Sequence, residues 1–445
     1  MTTSTRKQIL ILGGGFGGLY TALGLEKTLA DGDVDIILVN RENCTLFTPM
    51  LHEVAASDLD FTHIVNPIRK MLKHVRLFHG EVESIDLERK RVAVVHGPEQ
   101  HFHELPYDYL VIALGSTTNF FGLPGLAERA MTIKSLSDAI HLRNRLIDIL
   151  EQAESEYALE RETDLLTVVV AGGGFAGTET VAGINDFLRD SIRFYPHLKE
   201  DLVRVVLVHP GDVILPELGK ELGAYAQKKL AERKVEIRVG TKVLAVDDGG
   251  VTLSDGTRIV ARTIIWAAGT APHPLLNKLP CQLDHGRIVA NEFLEVPGFE
   301  GVWALGDCAS ITDPKTGHPY PPTAQHAVRQ GKIAARNVYA AIRGGTKKPF
   351  LFSTLGLLAA IGRRTGVASI LGVNISGFLA WFLWRTIYLS KLPRLEKKIR
   401  VALDWTLDLL FSKDLVHFLD LRTPSASHIL NTKEEEHELA AISGK

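Results

Sequence analysis

Cysteine is scarce in this chain of 445 residues, which contains three: Cys44, Cys281 and Cys308. They lie far apart, and no C-x-x-C pair is present. Disulfide frameworks, zinc sites of four cysteines and dithiol redox centres all need grouped cysteines. The sequence therefore argues against these three classes, and we expect no bound metal.

Net charge is also nearly absent, because 50 lysines and arginines face 52 aspartates and glutamates, which leaves −2. Such a chain has no global attraction to nucleic acid, so we expect no nucleic-acid partner and look for charged partners locally. The hydrophobic content of 45% is enough for large buried cores and excludes bulk disorder. The length is that of about three domains.

Long apolar segments that would target or span a membrane are missing as well. The start, Met1–Lys7, is short and polar, and the apolar run after it is too brief for a signal peptide, which predicts an intracellular protein. Thr365–Trp384 has no charged residue, a length that suggests a transmembrane helix. Three glycines and Asn374 interrupt it, so 367–375 is predicted to form strand and turn. The remaining apolar run, 378–384, is too short to span.

A glycine-rich turn after the first apolar run is the most informative motif that is present. Ile9–Leu12 has the length of a buried strand, and Gly13, Gly15 and Gly18 follow it as G-x-G-x-x-G. The first glycine makes a tight turn, the second admits a pyrophosphate, and the third lets helix pack on strand. The helix N-terminus then offers oriented N–H groups to phosphate. This pattern predicts a dinucleotide site.

A second copy of the motif strengthens that prediction. Leu166–Ala171 leads into Gly172, Gly174 and Gly177 with the same spacing. Each copy is followed by an apolar strand that ends in Ala-x-Gly, at 113–115 and at 267–269. One chain with two such units is expected to bind two dinucleotides. The long separation between copies indicates duplicated domains and not a solenoid.

The residues that end the second strand of each unit depart from the usual pattern. An acid often stands there and bonds the ribose hydroxyls, but this chain has Asn40 and His209. Asn40 can bond a ribose or can be a turn residue. Later, an apolar strand ends in Gly306 and Asp307, where a carboxylate can approach a polyol hydroxyl. Residues 134–162 have a charged helical pattern, with Arg143 expected on an exposed face.

The C-terminal part combines aromatic residues, a basic cluster and an amphipathic pattern. Trp381 and Trp384 precede six basic residues between positions 385 and 400, and an apolar stripe runs over 395–410. Together these features predict helices from about Ser376 onward that lie on a membrane surface, with the tryptophans at the interface. The alternative is a dimer helix that packs on the core.

Taken together, these stretches resemble the two-dinucleotide-binding flavoprotein disulfide-reductase superfold over residues 8 to about 340. The resemblance implies an α/β fold with two Rossmann-like domains, one for FAD and one for NADH. It places the FAD domain at 1–120 and 283–345, the NAD(P)H domain at 121–282, and a membrane-associating helical segment at 346–445. Asp307 matches the motif that binds the FAD ribitol chain.

Within that superfamily the chain resembles the type II NADH:quinone oxidoreductases. Leu46–Leu51 is similar to their L-F-x-P-L-L loop, Gly177–Glu179 to their G-x-E, and Ala324–Gly331 to their A-Q-x-A-x-Q helix. The resemblance implies electron transfer from NADH through FAD to a membrane quinone without proton pumping. It also implies a homodimer that is peripheral to the cytoplasmic face of the inner membrane.

The same resemblance assigns the site residues. Glu179, Gln325 and Arg329 are the catalytic candidates, with a quinone entrance beside Gln325 and Arg329. The cofactor-binding candidates are Gly13, Gly15, Gly18, Asn40, Thr48, Val82, Ala113, Gly115, Asp307, Gln325, Gly172, Gly174, Gly177, His209 and Gly269. Two departures stand out: Arg329 replaces the family's second glutamine, and His209 replaces an acid that would disfavour NADPH.

Other functions remain open at this point. A thiol-based NADH peroxidase or oxidase would use Cys44, which lies soon after the second strand. A redox-sensing flavoprotein without enzymatic turnover would bind the same two dinucleotides. Glu179 could also be an ordinary solvent-facing helix residue.

Overall fold

The computed structural model describes residues 6–29, 34–160 and 164–417. Residues 418–445, the end of the predicted membrane-associating segment, lie outside this range.

Strands and helices alternate in the first part of the chain, which ends in an antiparallel meander and two short strands. These elements are β1 (Lys7–Leu12), α1 (Phe16–Thr28), β2 (Val34–Asn40), β3 (Cys44–Leu46), α2 (Leu51–Ala55), β4 (Val65–Pro67), α3 (Ile68–Met71), β5 (Arg76–His79), β6 (Glu81–Asp86), β7 (Arg91–His96), β8 (His101–Pro106), β9 (Tyr109–Ile112) and β10 (Ser116–Thr118).

The middle part repeats this order of elements. It contains α4 (Leu126–Arg129), β11 (Met131–Thr132), α5 (Leu136–Ala158), β12 (Thr167–Ala171), α6 (Phe175–Ser191), β13 (Arg204–Val208), α7 (Gly219–Glu232), β14 (Val235–Arg238), β15 (Val243–Asp247), β16 (Gly250–Leu253), β17 (Arg258–Val260), β18 (Thr263–Trp266) and β19 (Thr270–Pro272).

The last part returns to the first sheet and then adds a separate layer. It contains β20 (Leu283–Asp284), β21 (Arg287–Ala290), β22 (Val302–Ala304), β23 (Ala309–Ile311), α8 (Ala324–Arg343), β24 (Gly356–Ala360), β25 (Gly366–Ile370), β26 (Val373–Gly377), α9 (Phe378–Lys391) and α10 (Leu395–Asp408).

Two five-stranded sheets form the frame of the molecule. The first has the order β22-β9-β1-β2-β5 and the second β11-β18-β12-β13-β14, and all neighbours in both run parallel. Their central strands, β1 and β12, are buried on both faces, as parallel strands covered by helices are. The predicted α/β class with two Rossmann-like units is confirmed.

Each parallel sheet carries its own antiparallel meander, and one short ribbon joins the two units. The meanders are β6-β7-β8 and β15-β16-β17, and the ribbon pairs β10 with β19. Both ribbon strands start directly after an Ala-x-Gly turn. Gly115 and Gly269 have φ of +69° and +78°, a left-handed backbone that glycine adopts without strain. The ribbon is antiparallel, with Ser116 opposite Pro272 and Thr118 opposite Thr270, so the two turns enter it from opposite ends.

Helix α5 is not the solvated connection that its charges suggest. Arg143, expected to be exposed, is 1% exposed. Its Nε donates to the Ser57 hydroxyl at 2.7 Å and its Nη1 to the Val416 carbonyl at 2.6 Å. The expectation was wrong because an arginine on the inward face can be buried where several acceptors satisfy its N–H groups. Arg143 thereby ties the start of the chain to its C-terminal part.

The C-terminal layer begins as a sheet and continues as two helices. Strands β24, β25 and β26 form an antiparallel sheet, in line with the strand and turn predicted for 367–375. Helix α9 packs against all three strands and α10 against α9. Among the described residues, no helix is both long enough and apolar enough to cross a bilayer.

The tryptophans of this layer do not lie at its surface, which corrects the sequence-based expectation. Trp381, Trp384 and Trp405 are at most 8% exposed. The guanidinium of Arg385, the first of the six basic residues in the predicted membrane-surface helices, lies 4.2 Å from the Trp381 ring and 4.7 Å from the Trp405 ring. The spacing of aromatic residues along a helix gives its faces but not which face turns inward, so the sequence pattern misassigned these side chains.

Candidate functional site

The first glycine turn has the shape of a phosphate cradle. A Cβ on Gly13 would lie 2.3 Å from the Ala113 carbonyl oxygen, and one on Gly18 would lie 1.9 Å from the Gly13 oxygen. At Gly15, which caps the N-terminus of α1, no atom lies within 4 Å of such a Cβ. The turn is thus closed behind the backbone and open in front of it, where a pyrophosphate would approach.

Asn40 holds this turn in place. Its Oδ1 accepts the N–H of Gly14 at 2.7 Å, and its Nδ2 donates to the Glu42 carbonyl at 2.7 Å. Asn40 therefore braces the glycine turn. This role was not one of the two sequence-based interpretations, a ribose contact or a simple turn residue.

The second glycine turn repeats this geometry closely. A Cβ on Gly177 would lie 1.8 Å from the Gly172 oxygen, whereas nothing lies within 4 Å of one on Gly174. The N–H of Gly173 donates to Nδ1 of His209 at 3.1 Å, as Gly14 donates to Asn40. Nδ1 must be unprotonated to accept this bond, and burial lowers the pKa of His209. His209 is therefore neutral and braces the turn.

Asp307 belongs to a chain of polar contacts that links three parts of the molecule. The Ser116 hydroxyl donates to its Oδ2 at 2.8 Å, and the Lys134 ammonium donates to that hydroxyl at 2.7 Å. The N–H of Gly306 donates to Oε1 of Gln330 at 2.8 Å. Gln330 fixes the turn that carries Asp307. Lys134 and Gln330 were not among the predicted site residues.

The other cofactor-binding candidates lie on several different elements. Ala113 is buried beside Gly13, and Gly115 has open space where a Cβ would stand. Val82 is half-buried on β6, and Thr48 is exposed at the first position of a 3-10 turn before α2. At Gly269 a Cβ would lie 2.5 Å from the Phe121 ring, so a larger residue would displace that ring.

The loop that resembles L-F-x-P-L-L joins the first glycine turn to the C-terminal layer. Phe47 packs edge-on against Phe16, the first residue of α1, with ring centroids 5.9 Å apart. Phe47 also contacts Tyr388 of α9, with ring centroids 6.2 Å apart. Helix α2 follows this loop directly.

Glu179 is buried, so the reading of it as a solvent-facing residue is wrong. Its Oε1 accepts the backbone N–H of Ala360 at 3.0 Å and the indole N–H of Trp384 at 2.9 Å. Nδ1 of His52 lies 3.8 Å from its Oε2. Burial raises the pKa of Glu179 to about 8, although the two hydrogen bonds oppose the shift. The C-terminal layer thus supplies both donors to this carboxyl.

Two further titratable residues were missed by sequence reasoning. His52 and Glu53 on α2 are both buried. Burial lowers the pKa of His52 to about 4, so it is neutral, and raises that of Glu53 to about 8. Both oxygens of Glu53 accept the indole N–H of Trp405, at 3.2 and 3.1 Å. No sequence motif distinguishes His52 and Glu53 from the polar residues of an ordinary amphipathic helix.

Gln325 and Arg329 lie together near the start of the C-terminal layer. Nε2 of Gln325 donates to the Gly356 carbonyl at 2.8 Å, and Arg329 donates to the Gln325 carbonyl at 2.9 Å. The Arg329 guanidinium stands 4.0 Å from the Phe352 ring. Gly356 starts β24 and Ala360 ends it, so one strand of about 13 Å connects the contacts of Gln325 and Glu179.

The cysteines do not provide an activated thiol. Cys44 is half-buried, and both burial and the nearby Glu42 raise its pKa. Burial raises the pKa of Cys308 to about 11. A nucleophilic cysteine needs the opposite shift. Within the described ranges, no three or more His, Cys, Asp or Glu side chains are grouped to hold a metal ion.

Comparison with known families and proteins matches almost the whole chain. Residues 7–331 match the pyridine nucleotide-disulphide oxidoreductase family, and residues 355–414 match the NDH2 C-terminal domain. The chain is 34% identical over 424 residues to type II NADH:quinone oxidoreductase Ndh of Mycobacterium tuberculosis, covering 92% of this chain and 89% of that protein. It is 30% identical to the mitochondrial external alternative NADH-ubiquinone oxidoreductase of Yarrowia lipolytica, covering 92% and 81%.

A solved structure has the same fold. NDH2 from Plasmodium falciparum in complex with NADH superimposes with a TM-score of 0.85 at 20% identity. The match covers 93% of this chain and 100% of that one.

Proposed function

The chain belongs to the type II NADH:quinone oxidoreductases, and we infer that it transfers electrons from NADH to a quinone through FAD. The observation that carries this inference is the pair of open glycine turns together with a buried carboxyl, Glu179, capped by the C-terminal layer. FAD, when bound, supplies the two-electron chemistry that joins a hydride donor to a quinone acceptor. No observation supports the thiol-based or redox-sensing alternatives.

The proposed division into domains follows from the same family resemblance. We propose that 1–120 with 283–345 binds FAD, that 121–282 binds NADH, and that 346–445 associates with a membrane. Gly13, Gly15 and Gly18 would bind the FAD pyrophosphate through backbone N–H groups and the N-terminus of α1. Asp307, oriented by Ser116, would accept hydrogen bonds from the ribitol chain.

The residues around β24 are proposed to serve the quinone. Oxidation of NADH yields two electrons and one proton, so forming a quinol takes one further proton from solution. Glu179, whose pKa is raised to about 8, holds a proton near neutral pH and is buried away from water. Gln325, at the other end of β24, offers a polar group to a quinone carbonyl, and Arg329 adds a cation beside it.

The charged face of α10 is turned toward the protein and its apolar face away from it, which supports a membrane surface as partner. Lys397 donates to the Thr62 carbonyl at 2.6 Å, and Asp404 accepts the backbone N–H of Asp60 at 3.3 Å. Asp408 contacts Arg363. Large apolar side chains are exposed on the opposite side of α10, directly after α10, on α9 and at the β25–β26 turn: Leu395, Ile399, Leu403, Leu407, Leu410, Phe411, Phe378, Leu379, Phe382, Leu371 and Val373.

A lipid surface is the partner that fits this arrangement. An apolar face of this size is rare on a free soluble surface, and burying it in the acyl boundary removes it from water. Lys391 and Arg400 are exposed beside it, and each basic group near an anionic surface adds about 1 kcal/mol. The cytoplasmic face of the inner membrane and the respiratory chain are the proposed setting, from the family resemblance.

Flotation with anionic liposomes tests this membrane contact. Deleting the C-terminal layer would also remove Trp384 and its bond to Glu179, so point substitutions are the sharper tool. Phe382→Glu combined with Leu403→Glu should abolish flotation while FAD content stays unchanged. Phe102→Glu, on an exposed phenylalanine of β8, is the matched control and should float. A double variant that floats like the wild type would refute the lipid contact of this face, and its oligomeric state by light scattering would then test the dimer-helix alternative.

Steady-state kinetics test the enzymatic function itself. Purified FAD-loaded protein should oxidise NADH with a short-chain quinone as acceptor, and oxygen alone should support far slower turnover. Turnover that needs no quinone would contradict the proposal. The homodimer stays a prediction, which light scattering of the lipid-free protein can check.

A further inference from the structure

We propose that Lys134, a residue of the second Rossmann-like unit, is a positioning residue for FAD: through the Ser116 hydroxyl it orients Asp307, and its positive charge offsets that carboxylate beside the FAD pyrophosphate. This inference rests on the proposed function, because it assigns Lys134 a task in the proposed FAD site. The contacts that carry it join three segments that lie far apart in the chain.

The hydrogen bonds from Lys134 to Asp307 can run in one direction only. An ammonium donates and never accepts, so the 2.7 Å contact of Lys134 Nζ makes the Ser116 oxygen an acceptor. The single hydroxyl proton of Ser116 is then directed to Oδ2 of Asp307, 2.8 Å away. Oδ1 of Asp307 accepts no hydrogen bond from the described residues. The carboxylate is therefore fixed at one oxygen and open to a ligand at the other.

The packing of α8 on α1 holds Asp307 next to the first glycine turn. Gln330 of α8 accepts the N–H of Gly306, the residue before Asp307, at 2.8 Å. At the following residue of α8, Gly331, a Cβ would lie 2.4 Å from the carbonyl oxygen of Gly17 in the first turn of α1. The turn that carries Asp307 is thus held against the start of α1, where the pyrophosphate is proposed to bind.

A carboxylate in this place needs a cation near it. Asp307 and a pyrophosphate are both negative and repel each other, and the repulsion is stronger where water is partly excluded. Lys134 is half-buried, and although burial lowers its pKa, the charge of Asp307 opposes that shift. The two charges therefore interact through the hydroxyl that separates them, and Lys134 reduces the repulsion that FAD would meet.

The second unit holds Lys134 in place. Its backbone N–H donates to Oδ2 of Asp138 at 2.8 Å, and Asp138 forms with Ser135 the capping box that starts α5. Just before Lys134, strand β11 pairs with β18 in the second sheet. The orientation of Asp307, which belongs to the first unit, thus depends on a residue that the second unit anchors.

Equilibrium dialysis of FAD with purified variants tests this role. Lys134→Met keeps an unbranched apolar stem and removes the ammonium, so it should raise the Kd of FAD about tenfold, the loss of one charge-assisted hydrogen bond. Ser116→Ala breaks the same chain and should raise the Kd by a similar factor. Lys134→Arg keeps the charge and the donors and should stay within about threefold of the wild type.

The double variant distinguishes one chain of contacts from two independent ones. If Lys134 acts through Ser116, Lys134→Met should raise the Kd by less than about twofold in the Ser116→Ala background. Lys242→Met, at an exposed lysine of the second unit, is the matched control and should change nothing. A tenfold rise in both backgrounds, a Lys134→Met affinity equal to that of the wild type, or no rescue by arginine would overturn the proposal.

Two further outcomes separate this inference from the proposed function. A wild type that binds FAD but shows no NADH:quinone turnover would refute the proposed function, and the effect of Lys134 on FAD affinity would still stand. Wild-type turnover together with an unchanged FAD affinity in Lys134→Met would refute the role of Lys134 alone. If Lys134→Met does not fold, Lys134→Gln removes the same charge and carries the same expectation.

Discussion

Replacing Trp384 with phenylalanine tests whether the C-terminal layer controls the ionisation of Glu179. The indole N–H lies 2.9 Å from the Glu179 carboxyl, and both side chains are buried. Phenylalanine keeps most of the apolar contact but donates no hydrogen bond. Such a bond to an ionised group contributes about 1.5–3 kcal/mol, and one pKa unit corresponds to about 1.4 kcal/mol. Loss of the donor should therefore raise the pKa of Glu179 from about 8 by about one unit.

The assay is the pH dependence of NADH oxidation with a short-chain quinone. Because the protonated form of Glu179 is proposed to support turnover, activity should fall as pH rises through its pKa. In Trp384→Phe this alkaline limb should move to higher pH by about one unit, with FAD content unchanged.

Trp303 offers a matched control for that substitution. It is 1% exposed, and its indole nitrogen has no hydrogen-bond partner among the described residues. Trp303→Phe therefore removes a buried indole without removing a hydrogen bond, and its alkaline limb should stay in place. If both variants shift alike, or Trp384→Phe does not shift, the link between the C-terminal layer and Glu179 would be refuted.

Three further predictions address the cofactors and the thiol. Asp307→Ala should weaken FAD binding about 10- to 100-fold, the loss of one charge-assisted hydrogen bond; equilibrium dialysis measures it, and unchanged affinity would remove Asp307 from the site. His209→Glu should raise the kcat/KM preference for NADH over NADPH about tenfold, because a carboxylate repels a 2′-phosphate that neutral His209 does not; an unchanged ratio would show that His209 does not face the ribose. Cys44→Ser should leave quinone turnover within about twofold of the wild type, since burial raises the pKa of this thiol; a loss of several orders of magnitude with FAD retained would favour the thiol-based reading.

The fold was largely readable from the sequence because its signals are local. A glycine turn between a buried strand and a helix specifies its own geometry, and two copies specify two similar sheets. The predicted strand that ends at Asn40 is β2, and the predicted apolar strand that leads into Ala-x-Gly at 267–269 is β18. The family, the FAD and NADH cofactors and the quinone reaction predicted from the motifs are confirmed by the matched relatives.

The packing around Glu179 was not readable, because it depends on contacts between distant segments. Trp381 and Trp384 were assigned to the membrane interface because the periodicity of a helix does not show which face meets the protein. The structure turns these rings inward and leaves Phe382 and Leu403 outside. His52 and Glu53 carry no motif, and their perturbed pKa values arise from burial under residues more than 300 positions later. The assigned site residues and domain limits stay predictions.

The position of β22 in the first sheet affects the order in which the chain can fold during synthesis. This edge strand pairs with β9, yet Val302 and its partner Leu110 are separated in the chain by the whole second sheet, β11 to β18. A ribosome therefore completes the second unit while the first still lacks its edge strand and the turn that carries Asp307. Contacts of such high sequence separation form late. The inserted unit can therefore pair all five of its parallel strands before the first sheet receives β22, and the turn that carries Asp307 joins the first unit only after that.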